Sequence, residues 1–262
     1  MGSNRVIIKA INISQEFQVG DEVIQPLKDS NFQLLESSFN IIYGPSGSGK
    51  STLLNILTGL QKPTSGTVLF DDHEIYKLAP DELAFFRATR IGIVYQTNYW
   101  VKSLTAVENV SLPLFFLGYN RKKAMERAQF ALDEVGMGTF AKKYPVLLSG
   151  GEQQRIAIAR ALASSPLYII ADEPTGSLDS TNGDKVMNLL RTFQKEYGRT
   201  VILVTHNMEY LPLADHLLHI EDGKTRELQH DSVQAATNAL LEEMKARINR
   251  LSTNNAEKGK ST

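Results

Sequence analysis

The sequence predicts an α/β domain on a mainly parallel β-sheet, with a helical segment inserted in the middle. Two continuous apolar runs, LYIIADE at 167–173 and TVILVTH at 200–206, are typical of parallel strands buried on both faces. A helix-like stretch, DKVMNLLRTFQKEYG, lies between them. From about 100 to 165 the pattern changes to consecutive helices, which indicates an insertion into the core.

The elements before this insertion repeat the strand and helix alternation. Residues 5–43 are predicted to form short strands, with a turn signal at Gly20-Asp21 between RVIIKAINI and VIQPLKDSNFQL. NIIYG at 40–44 is an apolar run that precedes the helix-like STLLNILTGL. Further strands, GTVLFDDHEI and IGIVYQ, flank the helix-like PDELAFFRATR.

The insertion and the C-terminal region are both helical in pattern. Three helices are predicted in the insertion, at VENVSLPLFFLG, RKKAMERAQFALDEVG and GEQQRIAIARALA. Another helix is predicted over 231–251, with an apolar stripe that we expect to pack on the domain's own surface rather than on a partner. The remaining residues, 252–262, are expected to be disordered.

The composition narrows the class of protein. Of the 262 residues 42% are hydrophobic and 22% are charged, which is typical of a soluble globular chain. A net charge of −1 gives no case for a nucleic-acid partner, and the lack of cysteine excludes disulfides and thiolate metal sites. Because no apolar run approaches ~18 residues, a function at a membrane would need other chains to span it.

A glycine-rich loop follows the apolar run NIIYG. GPSGSGKST at 44–52 fits the phosphate-loop pattern G-x-x-x-x-G-K-[ST], in which glycines let backbone N–H groups curl around an anion. The pattern assigns Lys50 to the β- and γ-phosphates and the Ser51 hydroxyl to a Mg²⁺ ion. A glycine-rich turn could match by chance, but the preceding strand and the following helix favour phosphate binding. The predicted phosphate-binding residues are Gly44, Pro45, Ser46, Gly47, Ser48, Gly49, Lys50, Ser51 and Thr52.

Two adjacent carboxylates end the apolar run LYIIADE. Asp172 and Glu173 are costly there unless they face a cation or solvent. Beside a bound nucleotide, Asp172 would hold Mg²⁺ and Glu173 would polarise the attacking water. The alternative is that these residues are an ordinary acidic strand end without a ligand. The phosphate loop in the same chain favours the catalytic role.

A second glycine-rich helix start, LSGGEQQR, lies at 148–155. Ser149, Gly150 and Gly151 precede the helix GEQQRIAIARALA and so offer N–H groups and a helix dipole to an anion. Taken by themselves, these eight residues are also explained by a glycine-rich helix N-cap that binds no ligand.

The order of these motifs resembles that of an ATP-binding-cassette (ABC) ATPase. The series runs GPSGSGKST, Gln96 as the last residue of the predicted strand IGIVYQ, LSGGEQQR, LYIIADEP, GSLDS and His206, and it covers about residues 5–228. The resemblance implies a P-loop NTPase core with a mainly parallel sheet, an N-terminal antiparallel β subdomain and an inserted α-helical subdomain. It places the ATPase domain at 1–230 and the helical subdomain at about 97–165.

The resemblance also implies ATP and Mg²⁺ as ligands and roles for residues that are uninformative alone. In that family two copies sandwich two ATP molecules, so the 149–151 turn would contact the γ-phosphate bound by the other copy. Gln96 would touch Mg²⁺, His206 the γ-phosphate, Asp179 would lie in the dimer-crossing loop, and Phe17 would stack on adenine. The catalytic set is therefore Glu173, Lys50, His206 and Gln96, and the metal set is Ser51, Gln96 and Asp172.

Within the family, the sequence is similar to the macrolide-export, lipoprotein-release and cell-division branch (MacB, LolD, FtsE). That branch implies an ATPase that lies at the inner face of the cell membrane and drives a separate membrane permease. The segment Thr97-Asn98-Tyr99-Trp100 differs from the residues usual in the family at this place, which faces the membrane partner. The resemblance therefore does not identify the permease or the transported substrate. The alternative is a soluble member such as an iron–sulfur assembly ATPase, whereas a small-molecule kinase would lack LSGGEQQR.

Overall fold

A computed structural model describes residues 5–228 and the single residue Ala235. The helix predicted over 231–251, apart from Ala235, and the tail at 252–262 lie outside the described residues. No helix among the described residues has both the length and the apolar character needed to cross a membrane.

The larger sheet of the described chain has six strands and forms the core. They are β3 (Phe39–Tyr43), β6 (Ile91–Val94), β7 (Tyr168–Asp172), β8 (Thr200–Thr205), β9 (His216–Glu221) and β10 (Lys224–Leu228). Their spatial order is β10-β9-β3-β8-β7-β6, with β10 antiparallel at one edge and the other neighbours parallel. The carboxyl ends of β3, β7 and β8 therefore meet at one edge of the sheet, where α/β proteins bind ligands.

The second sheet is antiparallel and is built mainly from the N-terminal region. It contains β1 (Val6–Val19), β2 (Glu22–Leu35), β4 (Ser65–Phe70) and β5 (His73–Glu74), in the order β2-β1-β4-β5. The prediction of short strands over 5–35 is wrong in length, since β1 and β2 have 14 residues each. Register shifts between β1 and β2 interrupt the alternation of apolar and polar residues, so the sequence pattern breaks where the strands continue.

Six helices among residues 5–228 cover the core sheet. They are α1 (Lys50–Leu57), α2 (Pro80–Arg90), α3 (Ala106–Phe116), α4 (Arg121–Glu134), α5 (Gly150–Leu162) and α6 (Ser180–Tyr197). Apolar residues of α1 share one core cluster with the antiparallel sheet, whereas those of α3 to α6 pack in the other. Within β3, Ile42 packs in the cluster with α1, whereas Ile41 packs in the cluster with α3 to α6. The reason is that successive side chains of a strand point to opposite faces of the sheet. The predicted fold class is confirmed.

Truncating a buried residue of β8 is expected to destabilise the domain that carries the site. Leu203 is fully buried, so Leu203→Ala should lower the free energy of unfolding by about 2–5 kcal/mol, through lost burial and a residual cavity. Denaturant unfolding checks this, with the exposed Val19→Ala as a control that should change stability by less than about 0.5 kcal/mol. An equal effect of the two variants would contradict the packing described for β8.

Candidate active site

A cleft of about 550 Å³ opens at the carboxyl ends of the central strands. It brings together the phosphate loop, the acidic pair and two polar residues that follow β6 and β8. The lining residues are Pro26, Ser46, Gly47, Gly49, Lys50, Ser51, Thr52, Gln96, Asp172, Glu173 and His206.

The phosphate loop connects β3 to α1 and depends on its glycines. Gly49 has a φ of +103°, a left-handed value that strains any residue with a side chain. A Cβ at Gly49 would also collide with the carbonyl oxygen of Pro26, and one at Gly44 with that of Ile220. The loop therefore keeps close contact with β2 and β9 only because both positions are glycine.

Lys50 begins α1, and its ammonium group folds back over the phosphate loop. Nζ donates hydrogen bonds to the carbonyl oxygens of Gly44 at 2.9 Å and of Pro45 at 2.7 Å. Burial lowers the pKa of Lys50, and the neighbouring Glu173 and Asp172 oppose that shift. Both contacts are to carbonyl groups, so an anion in the cleft would be a stronger partner for the ammonium.

Asp172 is the last residue of β7, and Glu173 follows it at the floor of the cleft. Burial raises the pKa of Asp172, the charge of Glu173 raises it further, and Lys50 lowers it. Glu173 has a φ of +44°, and its N–H donates to the Val204 carbonyl at 2.8 Å. The left-handed turn is thus held by β8, and it directs two carboxylates into one place where a cation would stabilise them.

Glu173 also makes a direct contact with His206, which the sequence did not predict. Oε2 of Glu173 lies 2.6 Å from Nδ1 of His206, and the two side chains are 18% and 60% exposed. The residues are far apart in the chain, and the parallel pairing of β7 with β8 brings them together. His206 can therefore orient the carboxylate of Glu173 as well as face a ligand.

Gln96 lies in the cleft, two residues beyond the end of β6 at Val94. The interpretation that Gln96 ends the strand was therefore slightly wrong. Gly176 packs beside its amide, since a Cβ there would come 3.0 Å from Nε2 of Gln96. Sequence reasoning missed the cleft-lining Pro26, which belongs to no local ligand-binding pattern, and gave no role to Gly176, the first residue of GSLDS.

The turn at Ser149 lies outside this cleft. Ser149 is the N-cap of α5, and its N–H and hydroxyl both donate to Glu152 Oε2, at 2.9 and 2.8 Å. Ser149 and Gly150 are exposed, whereas Gly151 is buried against Asn182 of α6. Within its own chain the turn is therefore a capped helix start that is exposed at Ser149 and Gly150.

Asp179 is joined to that turn through the same asparagine. It caps α6 by accepting from the Asn182 N–H at 2.9 Å and from Nδ2 of Asn182 at 2.7 Å. The two segments that the resemblance assigned to a dimer contact thus form one surface, apart from the cleft. Phe17, on β1 opposite Ile24, is 39% exposed and is not among the cleft-lining residues. Its contact with adenine stays a prediction.

Comparison with known proteins agrees with this arrangement. A family model described as ABC transporter matches residues 27–176, from β2 through the acidic pair. The chain belongs to the ABC transporter family. It is the ATP-binding, ATP-hydrolysing subunit of such a transporter, as both the family and its relatives indicate.

Individual relatives of this ABC ATPase cover most of its length. It is 44% identical over 222 residues to the ABC transporter ATP-binding protein MJ0796 of Methanocaldococcus jannaschii, covering 83% of this chain and 94% of the relative. It is 41% identical to the macrolide export ATP-binding/permease protein MacB of Acinetobacter baylyi, over 86% of this chain and 34% of that longer protein. These names support the transporter interpretation over a soluble assembly ATPase.

Solved structures show the same fold. A dimeric structure of the MJ0796 cassette, described as post-hydrolysis and bound to ADP and Pi, has a TM-score of 0.79 and 41% identity. The match covers 86% of this ABC ATPase and 99% of that chain. The structure of cbiO1 from Clostridium perfringens, described as part of the ABC transporter complex cbiONQ, also has a TM-score of 0.79. Its identity is 28%, over 94% of this chain and 97% of that chain.

Proposed function

We propose that two copies of the chain close around two ATP molecules and drive a separate membrane permease. The observation that carries this is the position of the 149–151 turn outside the cleft that its own chain offers to phosphate, with Ser149 and Gly150 exposed. As the N-terminal end of α5, the turn suits an anion held by another molecule. The structure of the MJ0796 cassette, described as dimeric and bound to ADP and Pi, supports the pairing of two copies.

In this proposal Mg²⁺ is held by Ser51, Gln96 and Asp172. All three line the cleft and offer the hydroxyl, amide and carboxylate oxygens that Mg²⁺ binds. Residues 5–228 contain no cluster of three or more His, Asp or Glu that could hold a metal, so nucleotide oxygens would complete the shell. When bound, the ion neutralises charge on the phosphates.

The chain's own residues then act on ATP in distinct ways. Lys50 exchanges its loop carbonyls for oxygens of the β- and γ-phosphates, with the loop N–H groups beside it. Glu173 orients a water for in-line attack on the γ-phosphate and receives its proton. His206 holds the Glu173 carboxylate in place through the 2.6 Å contact and contacts the γ-phosphate.

Placing an arginine in the turn tests the dimer. Ser149→Arg should reduce ATP hydrolysis at least about a hundredfold, because a long side chain would separate the turn from the opposing phosphate and remove the N-cap. ATP binding to the single chain should be unchanged, since Ser149 lies outside the cleft. Steady-state hydrolysis and nucleotide titration measure the two. Ser65→Arg is the exposed control; normal hydrolysis by Ser149→Arg would exclude the role of the turn.

A second depression, of about 670 Å³, supports the permease part of the proposal. It lies between the core and the helical insertion, and aromatic and aliphatic groups dominate its lining. The exposed ones include Tyr99 and Phe116, which is 88% exposed. Apolar surface of this kind marks a protein contact. We assign it to a cytoplasmic segment of the permease, which would hold the ATPase at the inner face of the cell membrane.

Co-purification with the membrane subunit tests this assignment. Phe116→Asp should abolish association and leave the ATPase activity of the isolated chain unchanged, because Phe116 lines the second depression and not the cleft. Phe130→Asp, at another exposed phenylalanine, is the control and should still associate. Association of Phe116→Asp at the normal level would place the permease elsewhere.

A further inference from the structure

Trp100, the only tryptophan, connects the segment after Gln96 with the start of α5. Its Nε1 donates to Oε1 of Gln153 at 2.8 Å, and Nε2 of Gln153 donates to the Leu148 carbonyl at 2.9 Å. Leu148 directly precedes the turn that begins at Ser149. Two hydrogen bonds in series therefore run from the indole to the backbone of that turn.

The segment that carries Trp100 is itself fixed on both sides. Arg160 of α5 lies over the indole ring, with Cζ at 4.6 Å from its centroid, and its Nη2 donates to the Asn98 carbonyl at 2.6 Å. On the other side, Oδ1 of Asn109 accepts from the Val101 N–H at 3.0 Å. The indole is thus held between two anchored neighbours, Asn98 and Val101, so its position relative to α5 is well defined.

We propose that Trp100 is a positioning residue for ATP hydrolysis, which holds the orientation of the 149–151 turn through Gln153. The proposal rests on the proposed function, in which this turn meets the nucleotide of the other copy. Because Gln153 accepts from Trp100 and donates to Leu148, the indole acts on the turn only by orienting the Gln153 amide. A neutral hydrogen bond of this kind changes an equilibrium roughly two- to tenfold.

A double-mutant cycle on ATP-driven dimerisation tests the proposal. Trp100→Phe keeps an aromatic ring for Arg160 and removes the donor, and Gln153→Leu keeps the volume and removes both contacts. Each change is made in the full chain that also carries Glu173→Gln, so that ATP is retained. We expect each variant to weaken dimerisation about fivefold, as measured by sedimentation, and the double variant to be no weaker than the single ones.

Two further measurements separate positioning from a general loss of structure. ATP affinity of the single chain and thermal unfolding should stay at the parent values for Trp100→Phe, and Tyr197→Phe, at an exposed ring of α6, should change nothing. Additive effects of the two variants, or unchanged dimerisation in both, would overturn the proposal. If Ser149→Arg also dimerised normally, the proposed dimer itself would be wrong, and the two failures are therefore distinguishable.

Discussion

Glu173→Gln is expected to slow ATP hydrolysis by at least about a hundredfold and to leave ATP binding intact. The amide has the size of the carboxylate but cannot take the proton of the attacking water, and loss of such a group costs about 10²–10⁴ in rate. Its removal also takes away a negative charge beside Asp172, which favours a bound polyanion. ATP-bound dimers should therefore accumulate, as seen by sedimentation or light scattering.

The control for that change is Glu196→Gln, an identical substitution at an exposed position of α6. It should hydrolyse ATP at the parent rate. Undiminished turnover in Glu173→Gln would remove the general-base assignment. Because His206 contacts Glu173, His206→Ala should also slow hydrolysis, although less, since the base itself remains.

Lys50→Ala should abolish productive ATP binding. In the cleft the ammonium is the positive group beside two carboxylates, so its loss leaves Asp172 and Glu173 to repel the phosphates. Two charge-assisted hydrogen bonds to phosphate, each worth about 1.5–3 kcal/mol, correspond to a loss of affinity of at least about a hundredfold. Calorimetric or fluorescent titration with ATP measures it directly.

Lys50→Met separates charge from packing, because it keeps a long side chain over the loop. It should bind ATP as weakly as Lys50→Ala, whereas Lys62→Ala, at an exposed lysine after α1, should bind normally. Near-parent affinity in both Lys50 variants would show that the backbone of the phosphate loop binds ATP without the ammonium.

Chemistry that depends on neighbouring residues could be predicted from the sequence. The spacing of Gly49, Lys50 and Ser51 defines a loop in which the ligands come from consecutive positions, and the structure places them together in the cleft. The apolar runs at 167–173 and 200–206 are buried strands, because continuous hydrophobicity needs cover on both faces. The lengths of β1 and β2 could not be predicted from the sequence. Register shifts between them interrupt the alternation of apolar and polar residues, so the pattern indicates short strands where two long ones form.

The sequence by itself determined the fold class, the phosphate loop, the acidic strand end and the family, since each depends on local order along the chain. Only the tertiary structure decided which distant residues meet. It paired Glu173 with His206, packed Gly176 against Gln96, joined Asp179 to the turn at Ser149 and tied Trp100 to Gln153. It also left LSGGEQQR outside its own cleft. The physical reason is that strand order and helix packing, which no local pattern encodes, bring these side chains within hydrogen-bonding distance.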